Sequence, residues 1–146
     1  MRGVVTRISM VLVMLAGVVF FAATPAAAAD AIVRGGKTWL RGAETISPNG
    51  RTGFELTTGG IFVVWHDLPR NIVWASNRGT GVRGTFQTDG NLVIYNSGGQ
   101  AVWDSGTWQG PCPVIRTCTL HVQDDGNVVI YDPLNFPMWN TGTWRR

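Results

Sequence analysis

Two runs of the 146-residue chain carry the same five side chains at the same alternate positions. Gln87, Asp89, Asn91, Val93 and Tyr95 form one set; Gln123, Asp125, Asn127, Val129 and Tyr131 form the other. A carboxylate only accepts hydrogen bonds, a carboxamide both donates and accepts, and a phenol does either. Donors and acceptors alternating around a small apolar valine match vicinal hydroxyls with C–H faces between them, which is the chemistry of a sugar. A phosphate does not fit, because the aspartate repels it and no arginine belongs to either set. Asp and Asn alone could be satisfying the backbone of a turn. That account leaves the recurrence of Gln and Tyr beside them unexplained.

The elements that must position these groups are hairpins. Each set straddles an Asp-Gly pair, Asp89-Gly90 and Asp125-Gly126, between two strand-like runs, and the turn there needs the positive φ that glycine tolerates. The hairpin gathers Gln, Asp and Asn near the turn, with Tyr roughly 13 Å further along by strand rise. Leu92 and Ile94 alternate with Asn91, Val93 and Tyr95, so the first pair faces inward and the other three outward. Val128 and Ile130 are the inward pair of the second hairpin.

Those hairpins belong to an internal repeat. Phe86–Tyr95 recurs as Val122–Tyr131, and eight residues after each Tyr a Trp opens a similar tail, Trp103-Asp-Ser-Gly-Thr and Trp139-Asn-Thr-Gly-Thr. A weathered third copy, Leu56–Trp65, is followed by Trp74-Ala-Ser. In it Thr57, Gly59, Ile61, Val63 and Trp65 stand where the polar set stands elsewhere. That copy is expected to have lost the chemistry. Its outward Ile61, Val63 and Trp65 form an apolar patch that suggests contact with another subunit or another part of the chain. The unit is about thirty residues, and no unit can bury its apolar face alone, so three should pack around one axis. Trp74, Trp103 and Trp139 are the expected core of that axis. No window shows a helical period, and Gly-rich turn pairs recur throughout, so the chain reads as all-β.

Residues 1–29 read as a secretory signal peptide: Arg2 and Arg7, an uncharged apolar run from Ile8 to Phe21, a Thr24-Pro25 break and Ala26–Ala29. The apolar run is short of the ~20 residues that span a bilayer. Cleavage after Ala29 leaves residues 30–146 as one secreted, extracellular domain with no membrane span, and takes the net charge from +3 to +1. That balance, with scattered arginines and Lys37 as the sole lysine, gives no reason to expect a nucleic-acid partner. Abundant Ala, Gly and Arg with one Lys is the composition of a GC-rich, bacterial gene. Export makes a Cys112–Cys118 disulfide reasonable; six residues apart, it would staple a local loop and contribute about 2 kcal/mol. A metal site is poorly supported by two cysteines and the lone His121. Catalysis is not expected either. Asp89 and Asp125 belong to different repeats, whereas a glycosidase needs two carboxylates facing one bond, and no nucleophile–base pair is evident.

The pattern Gln-x-Asp-x-Asn-x-Val-x-Tyr, matched twice, resembles the monocot mannose-binding, or bulb-type, lectin family. The resemblance covers most of residues 30–146. It implies a type II β-prism of three four-stranded antiparallel sheets with pseudo-threefold symmetry. It also implies mannose or oligomannose binding without calcium or other cofactor. Asp89 with Asn91, and Asp125 with Asn127, would hold an axial 2-hydroxyl. Gln87 and Gln123 would hold the 3-hydroxyl, and Tyr95 and Tyr131 the 4-hydroxyl, with Val93 and Val129 against the ring. A homodimer formed by exchange of the C-terminal strand, within Met138–Arg146, is a further implication. The alternative on the same scaffold is a protein-binding or toxin-like module that has left sugar behind, as the first copy has.

Overall fold

The computed structural model describes residues 29–76, 79–112 and 117–145. The expected leader, residues 1–29, lies outside these residues apart from Ala29. Twelve short strands and no helix make up the described chain: β1 (Asp30–Arg34), β2 (Lys37–Leu40), β3 (Ala43–Ile46), β4 (Thr52–Leu56), β5 (Phe62–His66), β6 (Asn71–Ala75), β7 (Arg83–Phe86), β8 (Leu92–Tyr95), β9 (Ala101–Asp104), β10 (Thr119–Gln123), β11 (Val128–Tyr131) and β12 (Pro137–Asn140). They form three four-stranded antiparallel sheets.

Each repeat supplies three consecutive strands of one sheet, and the N-terminal segment supplies the fourth. The orders are β3-β4-β5-β6, β2-β7-β8-β9 and β1-β10-β11-β12. The first strand of the chain thus closes the sheet of the last repeat, and the third strand closes that of the first. All three repeats break register at the same place, Val64/Trp65, Ile94/Tyr95 and Ile130/Tyr131. Strand β12 pairs with β11 of its own chain.

The inward alternation fills the centre. Phe62, Val64, Leu92, Ile94, Val128 and Ile130 are all fully buried. Trp39, Phe54 and Phe62 form the aromatic heart, with Trp39 edge-on to both phenylalanines at 5.6 Å and the phenylalanines stacked at 4.5 Å. Trp39 stands outside the repeat that announced the other tryptophans. Trp74, Trp103 and Trp139 meet edge-to-face around the pseudo-threefold axis, with centroids 5.6–6.3 Å apart. They are half-buried and pack against the core rather than forming its fully enclosed centre.

Cys112 and Cys118 are bonded. The bridge reaches beyond its own loop. Cys118 is buried within the hydrophobic core, both sulfurs lie against Met138 of β12, and a Cβ at Gly90 would strike Cys112. Trp103 and Trp139 are 36 residues apart against 29 for Trp74 and Trp103, and the bridge within this seven-residue insertion packs against the Asp89-Gly90 turn on one side and Met138 of the third repeat on the other.

Candidate functional site

The loop between β7 and β8 runs from Gln87 to Asn91 and closes through Gln87 N–H to Asn91 O and Gly90 N–H to Gln87 O. Gly90 is its positive-φ residue, at 87°. Asp89 keeps ordinary φ and instead accepts the Asn91 N–H at Oδ1, 2.9 Å away. The same contact joins Asp125 Oδ1 to the Asn127 N–H at 2.9 Å. One carboxylate oxygen is thus spent on shaping the turn, and the exposed Asp89 presents the other to solvent.

Asn91 is buried, at 6% exposure, and its orientation is dictated by its neighbours. The Thr107 backbone N–H, 3.2 Å away, can only donate, so the carboxamide oxygen must face it; Ser105 Oγ stands 3.0 Å from that oxygen as well. With Oδ1 engaged, Nδ2 is the donor left for a ligand. Thr107 Oγ1 also donates to Gly90 O at 2.7 Å. Thr141 and Thr143 repeat this clamp on Asn127 and Gly126 at 2.8–3.2 Å. These four Ser/Thr residues were not singled out as site residues. Their signal was present in the recurring Trp-x-Ser/Thr-Gly-Thr tail.

Across the hairpin, Gln87 Nε2 donates to the Tyr95 hydroxyl at 2.6 Å. The phenol accepts, so its own proton is the donor left for a ligand. Val93, expected on the outward face, is only 3% exposed, and Val129 likewise. The outward face is a recess with a valine floor rather than an open polar surface. The Arg83 guanidinium lies 4.2 Å from the Tyr95 ring centroid and fixes that ring from the neighbouring strand.

The second site has the same five residues in a different setting. His121 replaces Thr85 beside the valine, and its ring meets Tyr131 edge-on at 4.9 Å. Its Nδ1 lies 2.7 Å from Asp30 Oδ2. Gln123 Nε2 divides itself between Asp30 Oδ2 and the Tyr131 hydroxyl, both at 3.3 Å. Asp30 and His121 are thus neighbours of the site that the repeat could not reveal.

The first copy is filled by its own side chain. Gly53 sits where the other copies have Arg83 and Thr119, and the Trp65 ring lies against that glycine so closely that a Cβ there would overlap it. The Arg70 guanidinium covers the other face at 4.5 Å and pairs with Glu44 at 2.9 Å and Glu55 at 3.2 Å. Trp65 Nε1 donates to Glu44 at 3.3 Å. Of the two contacts expected for this apolar face, another subunit or another part of the chain, the described residues supply the second: Val63 and Trp65 are each only 2% exposed, and Trp65 is covered by Arg70, from the β5–β6 connection, with Glu44 of β3 and Glu55 of β4. Thr57 turns inward on its own loop, bonded to Ile61, and Gly59 offers no side chain.

Comparison with known proteins decides the family. A monocot mannose-binding lectin from Gastrodia elata has a structure that superposes with a TM-score of 0.66 at 32% identity, over 78% of this chain and 98% of that one. The chain belongs to the monocot mannose-binding lectin family. No family model matches the sequence. Among bulb-type lectins, the mannose-specific agglutinin of snowdrop (Galanthus nivalis), solved with methyl-α-D-mannoside, superposes with a TM-score of 0.59 at 30% identity over 98% of its length. A mannose-specific lectin of Aloe arborescens is 41% identical over 58 residues, which spans 34% of this chain and 53% of that protein. The chain thus spans about half the length of this curated relative. The three-sheet prism is the fold of this lectin family.

Proposed function

We propose that the protein is a secreted lectin that binds mannose and oligomannose through two calcium-independent sites, Gln87/Asp89/Asn91/Val93/Tyr95 and Gln123/Asp125/Asn127/Val129/Tyr131. The observation that carries this reading is the twice-repeated presentation of an asparagine amide donor, a free carboxylate oxygen and a Gln–Tyr clasp over a valine floor. The mannose-specific relatives support it. Among the described residues no three His, Cys, Asp or Glu side chains gather as a metal site. Each carboxylate is placed to act directly on hydroxyls, and pairing the axial 2-hydroxyl of mannose would leave the site's polar groups unmatched by glucose. Single shallow sites bind weakly, so two per chain raise avidity for branched glycans. Exchange of Met138–Arg146 between copies would preserve the β11–β12 pairing in trans and add further sites; light scattering after gel filtration reads that directly.

Isothermal titration with methyl α-D-mannoside in EDTA tests the proposal. Two sites per chain are expected, with one lost in Asp89→Ala, the other in Asp125→Ala, and little heat from methyl α-D-glucoside. Absence of mannoside binding by folded protein, with or without added calcium, overturns it and favours the protein-binding module.

A further inference from the structure

The two intact sites differ most at their turns. Only the second repeat carries the seven-residue insertion, and the bridge that closes it is packed against Gly90, one residue from Asp89. Between the turn and the insertion lies a half-open cavity of about 240 Å³ lined by Thr88, Asp89, Cys112 and Thr117. Asp89 is common to this cavity and to the mannose site. The loop bearing Asp125 has no insertion beside it; its rim is occupied by Asn49 and Arg145, which bond to Asp124.

We infer that this cavity is a second saccharide subsite, so that the Asp89 site takes a mannoside of at least two linked residues while the Asp125 site takes one. The inference rests on the mannose-binding reading above and extends it. The size suits a pyranose, and so does the lining. Thr88 and Thr117 are exposed and offer hydroxyls with methyl groups beside them, the bridge sulfur gives an apolar wall for a C–H face, and Asp89 accepts from a hydroxyl. The occupant is fixed by continuity: a sugar linked to a mannose held at Asp89 has this cavity as its neighbouring space. Because the disulfide is held by Gly90, Cys118 burial and Met138, the wall is in place before the ligand arrives, which lowers the ordering cost of binding.

The test isolates each site. Asp125→Ala leaves the Asp89 site, and Asp89→Ala leaves the other. Each is titrated with methyl α-D-mannoside and with α1,2-, α1,3- and α1,6-linked mannobiose. At the Asp89 site at least one mannobiose should bind about tenfold tighter than the monosaccharide, a difference of about 1.4 kcal/mol. At the Asp125 site none should gain beyond the twofold that a second mannose end gives statistically. Thr117→Trp, at an exposed position, should fill the cavity and abolish the gain while leaving methyl mannoside binding intact. In unsubstituted protein, the methyl resonances of Thr88 and Thr117 should shift with the mannobiose and stay with the monosaccharide, a readout that does not depend on the variant folding. Equal gains at both sites, no gain at the Asp89 site, or a gain that survives Thr117→Trp overturns the subsite and leaves the mannose sites standing. Failure of methyl mannoside to bind at either site overturns the mannose reading, and this inference with it.

Discussion

At the scale of single residues, Asp89 and Asn91 separate binding from stability although they share one loop. Asp89 is exposed, and removing its side chain gives up one part-buried turn bond. Asp89→Ala should therefore weaken methyl mannoside at its site by at least tenfold while lowering stability by less than about 1 kcal/mol. Asn91→Ala should abolish the same site and also cost about 1–3 kcal/mol, because the Thr107 N–H and Ser105 hydroxyl lose their buried acceptor. Titration and urea unfolding of the two variants check both halves. The other site permits a gain. Gln123 spends part of its amide on Asp30, so Asp30→Ala should release a donor and tighten the Asp125 site about threefold, measured in the Asp89→Ala background. The five ligand-facing residues were legible because each occurs twice at fixed spacing. Asp30 and His121 were not, since Asp30 reaches Gln123 across 93 residues and has no counterpart in the other copies.

At the scale of elements, the sheet of the first repeat shows what replaces a lost site. Trp65 occupies the recess because Gly53 on the paired strand has no side chain to exclude it, and Arg70 with Glu44 and Glu55 closes the outer face. The ring is held on both sides, so it has nowhere to yield. Gly53→Ala should cost about 1–3 kcal/mol as overpacking, seen as a lower urea midpoint at unchanged slope, with mannoside binding at the two intact sites unaltered. The sequence showed that this copy had lost its polar set, and suggested that its apolar face contacts another subunit or another part of the chain. Which of the two it is could not be read locally, because the cover is Arg70, which lies beyond the repeated segment and pairs with Glu44 of β3 and Glu55 of β4. The hairpins around Asp89 and Asp125 were readable from their turns and alternation. Strands β1 to β3 were not, because they carry no copy of the repeat, and nothing local says that each joins a different sheet.

At the scale of the whole molecule, the three sheets are joined unevenly, and the best-bonded seam runs between the first and third. There Asn49 bonds Asp124, His66 Nε2 lies 2.8 Å from Gly126 O, and Arg145 reaches Asp124 and Arg51. The Arg51–Asp67 pair, 2.7 Å apart, sits at this seam. The hydrogen bond from Arg51 is the main reason that the Asp67 carboxyl is held below the usual carboxylate range; desolvation opposes it, and the charges of Arg51, Arg145 and His66 assist. Arg51 is raised in turn, chiefly by the same bond. A carboxyl with a lowered folded pKa contributes stability above its unfolded pKa and loses it as pH falls through the folded value. Asp67→Asn removes that titration. At neutral pH the variant should melt slightly below the unsubstituted protein, and between about pH 5 and pH 2 the gap should close as the native carboxyl takes up its proton. The pair is exposed, so the effect should be small and should shrink further in molar salt. Parallel melting curves across that range would show that the seam is held by its other hydrogen bonds, those of Asn49, His66 and the Arg145 guanidinium, and that the ion pair contributes nothing measurable.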